Sequence, residues 1–289
     1  MAITNAAQKP STSLAEIQAL VETDIALSAK LLQVANSASS GLRERVSSVR
    51  RAVTLLGFKT VKALAIGFLF NAEFGRIRIP GLPYPDLPRY AVACSAVAEA
   101  VADVVAPDLS SDAGSLGLLH ESGLIVMAMA FGQQYRDMVA GLAQSGLSLH
   151  EAEYKQFGID HATAGKMLLG GWRIIDPFLQ AVAFHHSPDL PITANTTRQT
   201  MLLWKLLTLS RAAGSLFFQS NASSAAAEAL QLARRHFNWR GPDLGAAIRA
   251  AAPIYRQRSA VFDFPIADTE ARCATAIGAS TRVPTEIAV

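Results

Sequence analysis

Four histidines and one glutamate are the side chains of this sequence with the clearest capacity for chemistry. His120 and Glu121 are adjacent, His161 follows later, and His185 and His186 form a second adjacent pair. Imidazole nitrogens and carboxylate oxygens together ligate divalent metals such as zinc, iron and manganese. A metal held in this way lowers the pKa of a bound water, so that hydroxide can attack phosphorus. The pattern therefore raises the possibility of metal-dependent phosphoester chemistry.

Helical periodicity predicts the elements that must position these residues. His120 falls within a predicted helix, His161 at the start of another and the His185-His186 pair at the end of a third, so the side chains could converge in a bundle. Asp160 is a natural cap before His161, and Asp176 is the predicted N-cap of a helix with Pro177 at its first position. Helices are predicted over about 48–56, 60–70, 89–105, 113–131, 133–145, 148–157, 161–171, 177–186, 196–213, 222–237 and 242–259.

Composition favours an all-α, soluble and cytoplasmic protein. Hydrophobic residues make up 51% of the 289 residues and charged residues 17%, with few aromatics and long runs at helical spacing. The apolar run from Ala91 to Ala106 is interrupted by two acidic residues, so no membrane span is expected. A net charge of +3 does not by itself indicate a nucleic-acid partner. The two cysteines indicate neither a disulfide framework nor a zinc site.

The chain divides at a segment rich in proline. Prolines stand at positions 80, 83, 85 and 88, a density that is incompatible with the interior of a helix. The predicted organisation is a flexible leader (1–13), an N-terminal helical subdomain (14–78), a Pro-rich connection (79–88), a helical bundle (89–264) and a loosely ordered tail (265–289).

An ordered set of short motifs runs over about residues 14–190. The motifs are 34–38 (VANSA), 48–53 (SVRRAV), 55–57 (LLG), 117–123 (GLLHESG), Glu153 with 157–162 (FGIDHA), and Gly165, Leu168, Trp172 and Pro177 leading to His185-His186. Each motif alone is weak, but in this order along the chain they resemble the HDOD domain.

The resemblance implies a multi-helix bundle related to the HD and HD-GYP phosphohydrolases, with an N-terminal helical subdomain and an incomplete metal site. No histidine stands among residues 1–119 to act as the first ligand of an HD site. Glu121 replaces the aspartate of the HD pair, and Leu124 stands where HD-GYP enzymes carry lysine. No GYP element follows His186.

We therefore expect a degenerate HD-type pocket, formed by the five residues named at the outset, without a resident metal or cofactor and without catalysis. The resemblance implies a bacterial signalling or regulatory role, with other signalling proteins or a small-molecule or nucleotide ligand as partners. The sequence gives no oligomeric state.

Two other functions remain open. The first is a metal-dependent phosphohydrolase or phosphodiesterase, acting on a nucleotide or cyclic dinucleotide with Glu121 in place of aspartate. The second is a nucleic-acid-binding module that uses Arg234, Arg235 and Arg240 with Trp239. Each histidine also has a structural interpretation: His120 as a core residue, His161 as an exposed residue, and the 185–186 pair as imidazoles protonated at a helix C-terminus.

Overall fold

The computed structural model describes residues 31–32, 34–35, 48–57, 61, 82, 87–171, 174–193, 196–217 and 223–261. All regular structure in these ranges is helical, which confirms the predicted all-α class. The leader at 1–13 and the tail at 265–289 lie outside the described residues. Of the predicted 14–78 subdomain, the longest described piece is a helix over 49–57. The domain boundaries therefore stay predictions.

Ten α-helices and one 3-10 turn form the described bundle from residue 87 onward. They are α1 (Leu87–Val105), the 3-10 turn (Pro107–Leu109), α2 (Ser110–Leu119), α3 (Ser122–Ala140), α4 (Leu142–Ser145), α5 (Leu149–Phe157), α6 (His161–Gly171), α7 (Asp176–Ala183), α8 (Arg198–Ser215), α9 (Ser223–Phe237) and α10 (Gly241–Val261).

Helix α1 is the centre of the bundle and packs against α2, α8 and α10. It is rich in alanine and valine, and glycines in its neighbours allow close approach. A Cβ at Gly117 on α2 would lie 2.7 Å from the backbone nitrogen of Ser95, and one at Gly214 on α8 would lie 2.7 Å from Cys94 Sγ. Cys94 is fully buried and burial raises the pKa of its thiol, as expected for a small core residue.

A second layer completes the site. Helix α3 packs against α6, α6 against α7, and α7 against α8. A separate apolar cluster, which includes Leu124, Met127 and Tyr135, fills the space on the side of α3 that faces α5. The predicted site residues lie where α2 ends, where α3 and α6 begin and just after α7 ends.

Three predicted helix boundaries are wrong. The helix predicted over 113–131 is broken at His120 and Glu121, which separate α2 from α3. The predicted break near 132 is instead a kink within α3, where Gly132 has φ 51° and ψ −115°. Ile175, rather than Asp176, is the N-cap of α7. Apolar periodicity continues through His120, so the sequence pattern does not reveal the break.

One stretch of the described chain, Pro107–Ala140, is long and apolar enough to cross a membrane by length and composition. Most of the apolar part of this stretch is buried inside the bundle. It is also interrupted at His120-Glu121 and kinked at Gly132. This burial is consistent with a soluble protein whose most apolar helices form the core.

Candidate functional site

The structure brings all five predicted site residues together in one buried cluster. His120, Glu121, His161 and His185 are each at most 1% exposed, and His186 is partly exposed. Glu121 Oε2 lies 3.2 Å from His161 Nε2, and Glu121 Oε1 lies 3.5 Å from His120 Nε2. The structural interpretation of His161 as an exposed residue is wrong.

The junction between α2 and α3 aims His120 and Glu121 into the cluster. His120 ends α2 and Glu121 precedes α3, so neither follows a regular helical face. Gly123 lets α3 touch the start of α6, because a Cβ there would lie 1.8 Å from the carbonyl oxygen of His161. Only glycine permits this approach, and the approach sets the distance between Glu121 and His161.

His161 is held by a carboxylate on α5. Glu153 Oε2 accepts hydrogen bonds from the His161 backbone N–H (2.8 Å) and from Nδ1 (2.5 Å). Its other oxygen, Oε1, accepts from the Tyr135 hydroxyl at 2.5 Å. Asp160 caps the same helix by accepting from the N–H of Thr163, as predicted. His161 therefore has a fixed ring orientation with Nε2 facing Glu121.

The His185-His186 pair lies just beyond α7, in a segment tied to α8. The indole N–H of Trp204 donates to the carbonyl of Phe184 at 2.9 Å. His186 stacks on His150 of α5, with ring centroids 4.4 Å apart and planes inclined by 7°. The Nε2 atoms of His186 and His161 are 2.7 Å apart. These contacts place both rings of the pair on the His161 side of the bundle.

The pattern of the HDOD domain matches residues 1–188 of the chain. The chain belongs to the HDOD family. The family resemblance inferred from the motifs is therefore confirmed. An uncharacterized protein from Treponema pallidum (strain Nichols) is 27% identical over 199 residues, which are 65% of this chain and 37% of that protein. The chain thus spans well under half of the length of this relative.

Two solved structures share the HDOD fold of this chain. A presumed phosphohydrolase from Shewanella amazonensis SB2B matches with a TM-score of 0.68 and 17% identity, over 91% of this chain and 92% of that one. An HDOD domain protein of unknown function from Geobacter sulfurreducens matches with a TM-score of 0.66 and 19% identity, over 92% and 91%. At these identities the likeness shows the fold alone.

In this HDOD protein, the protonated ring of His161 lies between two carboxylates, those of Glu121 and Glu153. Burial alone would lower the pKa of His161, but the charge of Glu121 and the hydrogen bonds and charge of Glu153 raise it to about 10. Burial alone would likewise raise the pKa of Glu121, and the positive charge of His161 reverses this and lowers it. A buried carboxylate–imidazolium–carboxylate arrangement results.

The other imidazoles of the cluster are neutral. Burial lowers the pKa of His120, and it lowers those of His185 and His186 well below 6.5. The prediction that the macrodipole keeps the 185–186 pair protonated is therefore wrong, because desolvation outweighs it. His186 consequently accepts, rather than donates, in its contact with His161 Nε2.

Several lone pairs converge at the centre of the cluster. Nδ1 of His120 faces the Gly117 carbonyl at 2.8 Å, and Nδ1 of His185 faces that of Val182 at 2.6 Å. A carbonyl only accepts, so both Nδ1 atoms carry hydrogen and both Nε2 atoms carry lone pairs. Those Nε2 atoms and both oxygens of Glu121 are buried without a hydrogen-bond partner.

The donor set fits a divalent cation. Ligand atoms of Glu121, His161, His185 and His186 all lie within 4.8 Å of one another. The Nδ1 contacts of His161 and His185 resemble those that orient metal-bound imidazoles. A bound cation would supply Lewis acidity and lower the pKa of a water. The expectation that the pocket holds no resident metal stays a prediction.

Sequence reasoning missed part of the site. Glu153 belongs to the family motif, and its position eight residues before His161 was the available signal. Tyr135 carries no such signal, because it lies on an otherwise apolar face of α3. In the basic cluster at and just after the end of α9, Arg234, Arg235 and Arg240 are exposed, whereas Trp239 is partly buried and packs against the core. Less of its ring is therefore available for base stacking, and the nucleic-acid alternative stays a prediction.

Proposed function

We propose that this HDOD protein is a non-catalytic regulatory protein that acts by contacting other signalling proteins or by binding a small ligand. The observation that carries the proposal is the closure of the cluster. Four of its five residues are at most 1% exposed, and His186 alone is partly exposed.

Closure matters because a hydrolytic metal site keeps an open position for water and substrate. In this cluster the position next to His161 Nε2 is occupied by Glu121 at 3.2 Å and by His186 at 2.7 Å. The sequence also lacks a histidine before His120 that could serve as a further ligand. The His161 proton instead offsets one of the two carboxylate charges, so an imidazolium already lies beside Glu121 where a cation would lie.

The experiment combines metal analysis with turnover assays. The purified protein is analysed for bound metal, then loaded with manganese, iron or magnesium and assayed on cyclic dinucleotides and on phosphomonoesters. The proposal expects no turnover under any loading. Stoichiometric metal together with turnover that disappears in His120→Ala would overturn it. Bound metal without turnover agrees with it, since a cation can serve as a structural element.

The second candidate is a metal-dependent phosphohydrolase. The unpartnered oxygens of Glu121 and the Nε2 of His185 favour it, because a cation would satisfy them all. Reaching substrate would require the segment around His185-His186 to move away from α5 and open the site. The turnover assay above distinguishes this candidate directly.

A further inference from the structure

A cavity lies beside the histidine cluster, between the segment after α7 and helices α8 and α9. Its volume is about 200 Å³, and its lining includes His185, His186, Trp204, Arg211, Leu232 and Arg235. Most of the lining comes from residues after 188, beyond the part of the chain that matches the HDOD family. The wall of the cavity that α8 and α9 provide therefore lies outside the matched region.

We propose that this cavity binds a small phosphomonoester, which names the ligand class for the ligand-sensing form of the proposed function. Two guanidinium groups, those of Arg211 and Arg235, border it together with one carboxylate, that of Glu228. Guanidinium groups bind phosphate oxygens through strong, charge-assisted hydrogen bonds. A phosphomonoester carries about −1.5 to −2 charges at neutral pH, so it matches two cations better than a carboxylate does.

Both arginines are already oriented by acidic partners. Arg211 Nη2 donates to Glu228 Oε1 at 2.5 Å, and Arg235 Nη2 donates to Asp189 Oδ1. The Arg235 and Asp189 side chains are 45% and 77% exposed, so their ion pair is screened by solvent and exchanges readily for a better anion. Arg211 is less exposed, at 20%, and supplies a fixed positive charge at the cavity wall.

The charge of the surrounding helices favours an anion. In α8, α9 and α10, eight basic side chains stand against two acidic ones, whereas residues 87–171 and 174–193 carry four against eleven. The basic residues of α8–α10 are Arg198, Lys205, Arg211, Arg234, Arg235, Arg249, Arg256 and Arg258, and the acidic ones are Glu228 and Asp243. Helices α8 and α9, which line the cavity, thus belong to the basic part of the described chain.

The other side chains that line the cavity indicate what kind of group the phosphate could carry. Trp204 and Leu232 give apolar surface for a small organic group, and the volume excludes a large ligand such as a dinucleotide. His185 and His186 line the cavity and also belong to the buried cluster. A ligand in the cavity would therefore contact two members of the histidine cluster, so binding could shift the positions of these buried side chains.

The experiment uses phenyl phosphate as the probe, with inorganic phosphate and neutral phenol as comparisons. Calorimetry on the full chain should give a phenyl phosphate Kd in about the millimolar range or tighter, with no binding of phenol. Arg235→Gln should weaken binding by about ten-fold through loss of a charged donor. Arg234→Gln is the matched control, because it changes the same charge one residue away without lining the cavity, and it should leave Kd within about two-fold.

The outcomes separate this proposal from the proposed function. If phenyl phosphate does not bind, or if the Arg234 and Arg235 variants weaken binding equally, the proposed phosphomonoester site is wrong. The non-catalytic assignment is unaffected by either result. Release of phenol from phenyl phosphate would contradict the non-catalytic assignment, and it would still agree with phosphomonoester binding in the cavity. Histidine side-chain NMR signals of His185 and His186 should shift during the titration; signals that stay fixed while heat is released would place binding elsewhere.

Discussion

The carboxylate of Glu153 should be the residue on which the stability of the site depends most. It is fully buried and accepts three hydrogen bonds, from the Tyr135 hydroxyl, the His161 backbone N–H and His161 Nδ1. In Glu153→Gln the charge disappears, and an amide NH₂ group must face at least one of those donors. The imidazolium of His161 then loses one of its two carboxylate partners.

The expected cost follows from two independent magnitudes. Removing one partner of a buried ion pair costs about 3–5 kcal/mol. Hydrogen bonds to a charged group contribute about 1.5–3 kcal/mol each, which agrees with the loss of one or two of them. A domain of ordinary stability unfolds with about 5–15 kcal/mol, so this single substitution removes a large share.

Urea unfolding of the metal-free protein at neutral pH, followed by far-ultraviolet circular dichroism, measures the effect. Glu151→Gln is the matched control, because it is the same change on the same helix at an exposed residue, and glutamine preserves the capping box with Ser148. That variant should unfold at nearly the same urea concentration as the natural protein. A Glu153→Gln variant within about 1 kcal/mol of the natural protein would refute the reasoning.

Two further predictions concern the same cluster. Gly123→Ala should prevent stable folding or cost more than about 4 kcal/mol, because the added Cβ would overlap the His161 carbonyl, whereas Gly171→Ala, with open space around its Cα, should keep the thermal midpoint. The free energy of unfolding of the metal-free protein should be greatest near pH 6.5. Below this pH, His120 and His185 take up protons more readily in the unfolded chain, because burial lowers their pKa values in the fold, and the folded state loses stability. Above it, the stability contributed by His161 is lost as the pH rises towards about 10, since its pKa is raised in the fold. Denaturant titrations across this range check the second prediction, and a flat profile would contradict it.

Periodicity and capping signals predicted much of the bundle. The predicted helix over 161–171 coincides with α6, and those over 148–157 and 222–237 differ from α5 and α9 by one residue at their starts. Local rules suffice at these helices because a cap, an amphipathic face and a stop are all encoded within each segment. Convergence of the five site residues was also predicted, from the order of the family motifs rather than from any local rule.

The geometry of the site could not be predicted in the same way. Leucines continue on both sides of His120, so the break that aims Glu121 inward leaves no mark in the hydrophobic pattern. The Tyr135–Glu153–His161 chain joins three helices, and such contacts depend on packing distances that a single sequence does not contain. The cavity near Arg235 likewise arises only when α8 and α9 meet the segment after α7.

The central claim is that a preserved HD-type scaffold works here without catalysis. The most direct measurement is phosphoester turnover by the protein loaded in turn with manganese, iron and magnesium, with metal content determined on the same samples and His120→Ala assayed in parallel. We predict no turnover above that of the variant under any loading. Turnover that requires bound metal and disappears in His120→Ala would contradict the account.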